Sequence, residues 1–389
     1  MPLSYQQAEV VSTFTAAHRT PKLFSVACAL LCFMTGTLLA WQPKTLAGMS
    51  DPAVPHLRRA HYLMGTIFEI EVYHPRIAQA EAVIELAFQE VRRADELMSH
   101  YREESELSRL NREGAHRPVV LHADLYSLLQ ISQRYTEETA GAFDIATNSL
   151  TAAWRMAEQR GRPLDAQELT AARTRMGAGR LVFEDSARTV RYDRAGVRID
   201  LGAIAKGWAV DRAAGVLRTH GIAAGLISAG TSTYCAIGAP PGAEGWSIGI
   251  RNPRYTAEMY ESGEATALLS VVDLRDMSLS TSSSSEQYFE IQGKRYSHIL
   301  DPRSGEPAQG LASVTVIAPS ATESDALSTA VFVLGVRDGT VLLRQRSLGG
   351  LITQPNSSPT ESDALTIPYS VPPSDGRARI RTSIMRTGS

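Results

Sequence analysis

Cysteine is scarce, with three in 389 residues. Cys28 and Cys32 lie in an apolar N-terminal run, which leaves Cys235 alone in the rest of the chain. One thiol can neither close an intrachain disulfide nor build a cysteine-based zinc site, so the body must be held by its own core. An excess of charge of either sign is missing too: 39 Lys+Arg stand against 41 Asp+Glu, a net charge of −2. That balance supplies no long-range field to gather polyanions and argues against a dedicated nucleic-acid binder. What is present, 43% hydrophobic and 21% charged residues, is ordinary globular composition. The length allows one large domain or two.

Three regions follow from the order of residues. The first, 1–48, is an export signal or membrane anchor: a polar start ends in His18, Arg19 and Lys22, and Leu23 to Trp41 runs 19 residues without a charge. At about 1.5 Å per residue such a run nearly crosses a hydrocarbon core, so a retained anchor competes with a cleaved signal, for which Thr45 and Ala47 offer small residues. The last, 353–389, is rich in Ser, Pro and Thr, ends in the basic stretch Arg377 to Arg386, and reads as a disordered tail. Within it Thr360 to Leu365 repeats the six residues Thr322 to Leu327, with no larger repeat around either copy.

Between them, 49–352 alternates strand and helix signals. Thr66 to Tyr73 sets Phe68, Ile70 and Val72 against Ile67, Glu69, Glu71 and Tyr73, the period of a half-buried strand. Ala78 to Met98 carries Val83, Ile84, Ala87, Val91, Ala94 and Leu97 on one helical stripe. Further strands are expected at Arg180–Phe183, Thr189–Tyr192, Leu226–Ser228, Trp246–Ile250, Leu268–Leu274, Tyr288–Ile291 and Ser313–Ile317. Helices are expected at Asp124–Glu138, Asp165–Arg175, Lys206–His220 and Ser324–Leu334. Strands outnumber helices and many look hairpin-joined, so the expected class is α+β rather than a doubly wound parallel sheet.

Several segments have residue types suited to chemistry. In SDALSTAVFVLG, from Ser324 to Gly335, Asp325 and Thr329 are one turn apart on one helical face, and a carboxylate with a hydroxyl are hard oxygen donors of the kind Mg²⁺ accepts. An aspartate at a helix start with a tolerated threonine explains the same residues. IDLGAIAKGWAVD, from Ile199 to Asp211, runs from strand through a glycine turn into a helix, and its amides would suit a phosphate, as they would any tight turn. It is neither a Walker loop nor a GxGxxG fingerprint. His298 ends a short apolar stretch before the Asp301–Pro302 turn, where a base could face a cleft or a histidine could be structural.

Taken in order, MGT at Met64, SHYREESELSRLN from Ser99, GAFD at Gly141, DLGAIAKG at Asp200, SHILDPRSG at Ser297 and SDALST at Ser324 resemble the ApbE family, the FAD:protein FMN transferases once labelled thiamine-biosynthesis lipoproteins. The resemblance runs from about His61 to about Leu351. It implies a mixed α/β fold of two halves with a flavin cleft between them, and Mg²⁺ beside the pyrophosphate of FAD. By position, Asp325, Thr329 and the carbonyl of Ala203 look like the metal ligands. Met64, Tyr101, Ala142, Phe143, Asp144, Asp200, Lys206 and Ile299 look like FAD contacts. His298 is similar to the histidine that would deprotonate an acceptor threonine. The implied reaction is Mg²⁺-dependent transfer of FMN from FAD to that threonine in an exported acceptor flavoprotein subunit, with release of AMP. A metal-dependent FAD pyrophosphatase would share every ligand, and an exported flavin-binding protein without catalysis is the rival from another class. Two departures stand out: SAGTSTYCAIG from Ser228 lacks the family's glycine pair and acidic residue, and Ser283 occupies the place of a glycine in TSSSSEQY from Thr281.

Overall fold

The computed structural model describes residues 54–253, 268–284, 287–355, 364–367 and 377–381. The chain divides into Met1–Pro52 and a compact unit Ala53–Ser389, and every described residue belongs to the second. The apolar run Leu23 to Trp41 and the expected boundary at 48/49 therefore lie outside the described residues.

Numbered along the chain, an eight-stranded antiparallel sheet contains β1 (His56–Leu63), β2 (Thr66–Tyr73), β6 (Ala224–Ala229), β7 (Thr233–Ile237), β10 (Ser278–Ser283), β13 (Ser313–Ala318), β14 (Gly349–Thr353) and β15 (Ala364–Ile367), in that spatial order. On one face lie α1 (Ile77–Met98), α6 (Ala205–Thr219) and α7 (Ala321–Gln345). The other face is covered by a three-stranded sheet of β16 (Arg377–Arg381), β9 (Leu268–Arg275) and β8 (Trp246–Arg251). A satellite cluster joins α4 (Asn148–Arg160) and α5 (Ala166–Arg173) to the hairpin of β11 (Tyr288–Ile291) and β12 (Lys294–Ser297). Antiparallel sheets with helices gathered on one side make the α+β class expected from the sequence.

Local pattern explains much of this. In β2, Phe68, Ile70 and Val72 are fully buried under the helices while Tyr73 packs on the opposite layer. The expected stripe of α1 is the buried one, from Val83 to Ala94, although Leu97 is only partly covered. Met64 and Gly65 form the two-residue turn between β1 and β2 with φ of 50° and 76°, the pair of positive angles that a type I′ hairpin turn needs. α7 is bent at Gly335 (φ 77°, ψ −175°), the residue after the expected end at Leu334. Its second part folds back, so that Arg346 reaches Glu323 in its first turn at 3.0 Å. By length and composition Ala321–Gln345 would suit a membrane, but half of it is buried in the protein, as a core helix is.

Other elements were not expected. β1 is an edge strand whose mostly exposed residues need no apolar alternation. α2 (Glu106–Glu113), α4 and β10 were also missed. The tail reading is corrected at two places: β15 pairs with β14 and β16 pairs with β9. Each gains its hydrogen bonds from a strand already in place, which local composition does not reveal.

Candidate functional site

Apart from Met64, the expected residues gather around the contact between the starts of α6 and α7, around Asp200, and at His298. Gly207, in the first turn of α6, lies against the start of α7 so closely that an added Cβ would meet the Ala321 carbonyl oxygen at 2.2 Å. Its N–H donates to Asp325 Oδ2 at 3.0 Å instead of closing the helical bond to the Ala203 carbonyl. One contact thus ties Asp325 to the start of α6, four residues after Ala203. Asp325 is only 6% exposed, and among the described residues this N–H is its one hydrogen-bond donor and no basic side chain pairs with it. A buried carboxylate ordinarily has a countercharge, so a cation fits here. Thr329 follows one turn later, its Oγ1 at 3.3 Å from Ser282 Oγ.

Behind these residues β10 turns serines toward α7. Ser280 Oγ lies 2.8 Å from Ser324 Oγ, and Ser282 Oγ lies 2.9 Å from Ser328 Oγ. Small hydroxyl side chains let the helix sit close to the strand and give Ser280 Oγ and Ser282 Oγ partners. Asp211, one turn beyond Gly207, accepts from the N–H groups of Ala321 and Thr322 and from Thr322 Oγ1 at 2.6–2.8 Å, so it caps α7 from another helix. Burial lifts the Asp211 carboxyl above its usual range despite those bonds.

The second group surrounds Asp200. Its N–H donates to Ile145 O at 2.8 Å, which ties it to the Ala142–Asp144 loop, and its Oδ1 accepts from Gly202 N at 2.8 Å. Ala142 and Phe143 are 1% exposed, so that loop can offer a ligand only backbone and the Asp144 carboxylate, whose Oδ1 accepts from Ala146 N. Lys206 Nζ donates to Gly202 O at 3.0 Å. His100 Nδ1 stands 3.3 Å from Asp200 Oδ1 and its ring contacts that of exposed Tyr101, centroids 3.9 Å apart. Burial alone would raise the Asp200 carboxyl, but the bond from His100, the Gly202 N–H and Lys206 hold it below the usual carboxylate range.

His298, half-buried after β12, has Nδ1 2.8 Å from the carbonyl of Gln287. Nδ1–H donates there, which leaves Nε2 as the acceptor. Burial depresses this imidazole below its usual value; the Gln287 carbonyl opposes the shift, and the Lys206 ammonium adds to it. Ile299 is buried with its N–H taken by Ser297 Oγ and its carbonyl by Ala308 N, so it contributes shape rather than a free polar group. Met64 stands apart: near its turn Gly230 N donates to Ile67 O, and no described hydrogen bond links Met64 to Asp200 or Asp325. At Ser283 the backbone stays out of the left-handed region and Oγ donates to Ala312 O, so the strand path there does not require a glycine.

His100, Asp211 and Ser282 were not singled out from the sequence. His100 adjoins Tyr101 and Asp211 lies one turn past Gly207, which were the available signals. Among the described residues no three of His, Cys, Asp and Glu cluster as a metal site, and the expected set has a single carboxylate.

A profile of the ApbE family matches residues 64–352. The chain belongs to the ApbE family. Among curated ApbE-family relatives, the FAD:protein FMN transferase of Treponema pallidum is 34% identical over 304 residues, 74% of this chain and 81% of that protein. A Klebsiella pneumoniae protein of the same name is 31% identical, over 73% of this chain and 84% of its own length. Among solved structures, the ApbE protein of Thermotoga maritima superposes with a TM-score of 0.69 at 28% identity, covering 78% of this chain and 96% of that one. The flavin transferase ApbE of Vibrio cholerae gives 0.66 at 25% identity, over 85% and 98%.

Proposed function

We propose that this chain is an enzyme that transfers FMN from FAD to a hydroxyl of an acceptor protein, using Mg²⁺. The observation that carries the reading is the joint at Gly207, whose N–H turns to the buried Asp325 carboxylate and not to the Ala203 carbonyl four residues before it, with Thr329 one turn beyond Asp325. A carbonyl, a carboxylate and a hydroxyl form an oxygen donor set of the kind Mg²⁺ takes when substrate phosphates complete its shell. Bound there, the ion would offset the charge that develops on the pyrophosphate oxygens.

The remaining residues supply positioning and proton transfer. Asp200, the Ala142–Asp144 loop and Lys206 form the cradle for the nucleotide, and Tyr101 offers an exposed ring beside it. His298 Nε2 takes the proton of the acceptor threonine as its oxygen bonds to the FMN-side phosphorus. The bond from that phosphorus to the bridging oxygen breaks, and AMP leaves. A base held neutral by burial suits this step, with an expected contribution of roughly 10²- to 10⁴-fold.

The acceptor is an exported protein, because Arg19 and Lys22 before the uncharged run Leu23 to Trp41 direct this chain across a membrane. Mixing the protein with FAD, Mg²⁺ and a candidate acceptor should yield a flavin-fluorescent acceptor band on a denaturing gel, together with AMP. Release of FMN without a labelled band would replace this reading with a pyrophosphatase.

A further inference from the structure

The sheet of β16, β9 and β8 packs Trp246, Ile248, Ile250, Val272, Leu274, Ala378 and Ile380 inward on the central sheet. The alternate residues face out. On β16 these are Arg377, Arg379 and Arg381, all exposed. The register sets Arg377 beside Arg275 and Arg379 beside Asp273, while Arg251 ends β8 on the same outward face. Among the described residues, five guanidinium groups meet two carboxylates here: Asp273, held by Arg381 at 2.6 Å, and Asp276, 3.9 Å from Arg275. This is a concentrated positive face on a chain whose net charge is −2.

Its place in the fold matters. His56, where the chain enters β1, stacks on Tyr73 at 4.7 Å, and Tyr73 contacts Trp246 at 5.8 Å. Trp246 pairs with Leu274 and Leu274 with Ala378. The entry point of the body thus sits at the Arg275 and Arg377 end of the face. From Trp41 to His56 there are only 14 intervening residues, a reach of at most about 50 Å.

We propose that the arginine face of β16 and β9 docks this protein on a bilayer surface carrying anionic phosphate headgroups, as a second contact beside the N-terminal apolar segment. The proposal rests on the membrane reading of that segment. Guanidinium groups stay charged and match phosphate oxygens with paired N–H donors. Beside an apolar anchor, a cationic patch adds an electrostatic contact and orients the body on the surface. Thr66, at the functional end of β2, is seven residues from Tyr73, about 23 Å along the strand, so docking leaves the site open to an acceptor.

The test uses Ala53–Ser389, which forms a compact unit with its own core, and flotation with phosphatidylcholine vesicles with or without phosphatidylglycerol. The protein should bind only the anionic vesicles, and added salt should release it. The triple variant R275Q/R377Q/R379Q, which keeps the Arg381–Asp273 pair, should bind on the order of 10²-fold more weakly. The corresponding triple lysine variant should retain binding, and neither should alter melting temperature or flavin transfer in solution. Equal binding by the glutamine variant, or equal binding of the parent to both vesicles, overturns the proposal. So does loss of affinity for an acidic acceptor protein with vesicle binding unchanged. If the full chain fractionates free of membranes while arginine-dependent vesicle binding persists, the anchor reading fails and the face keeps its assignment.

Discussion

Replacing Gly207 by alanine tests the joint on which the site depends. The new Cβ would stand 2.2 Å from Ala321 O, 2.6 Å from Ala321 C and 2.8 Å from Asp325 Cβ. Two of these are backbone atoms and cannot rotate aside, so α6 and α7 must separate. Overpacking of this kind costs about 1–3 kcal/mol. Separation also weakens the N–H bond to the Asp325 carboxylate, and hydrogen bonds to charged groups contribute about 1.5–3 kcal/mol. The combined loss, about 2.5–6 kcal/mol, should lower the melting temperature by roughly 4–9 °C in a body of this size. Gly215, in the same helix, has nothing within 4 Å of an added Cβ. Gly215→Ala is therefore the control, expected to be neutral or stabilising by up to about 1 kcal/mol. Thermal melts of both variants, with Mg²⁺ titrations of AMP release, read the two consequences together. A Gly207→Ala protein that melts with the parent and needs no more Mg²⁺ would refute the close-packed joint.

Asp325→Asn keeps an acceptor for Gly207 and should cost no more than about 1 kcal/mol of stability while abolishing transfer, whereas Asp325→Ala orphans that N–H at a further cost of about 1–3 kcal/mol; an active, Mg²⁺-responsive Asn variant would show that the carboxylate does not hold the metal. His298→Ala should reduce transfer at least about tenfold with FAD affinity nearly unchanged, because the role belongs to the transition state. Since burial and Lys206 lower the His298 pKa, the neutral base persists below the usual histidine value and activity should fall only as pH drops through that lowered value. The kcat/KM profile of Lys206→Met should have its acid limb moved upward, and a parent limb lying above the usual histidine pKa would contradict the assignment. His100→Ala should raise the KM for FAD several-fold with kcat and melting temperature little changed, and His100→Gln, which keeps an N–H donor for Asp200, should restore most of it; parallel losses in kcat and stability would make His100 merely structural.

Legibility followed the range of the interactions. The α1 stripe and the β2 alternation were visible because each is a local period, whereas the residues around Met64, Tyr101, Gly141, Asp200, His298 and Asp325 were named through the ordered resemblance to the ApbE family, each run being weak alone. β10 was hidden because Ser278, Ser280 and Ser282 carry no apolar signal, although Ser280 and Ser282 meet α7 with the regularity of any strand. Asp211 and His100 were hidden because their partners, Thr322 and Asp200, lie far away in sequence.

By itself the sequence determined the residue types and their local periods, hence the α+β class, the break after Leu334 and the donors available for a cation and a nucleotide. Only the tertiary structure decided which of them meet. Gly207 and Asp325, 118 residues apart, form one joint because a residue without a side chain lets two helix starts touch. The repeated hexapeptide makes the same point: Thr322 to Leu327 lies in α7, whereas Ala364 and Leu365 of the second copy lie in β15, paired with Thr353 and Ile352. Intrinsic propensities differ by less than about 1 kcal/mol per residue, so the neighbour that supplies hydrogen bonds and apolar cover decides the conformation.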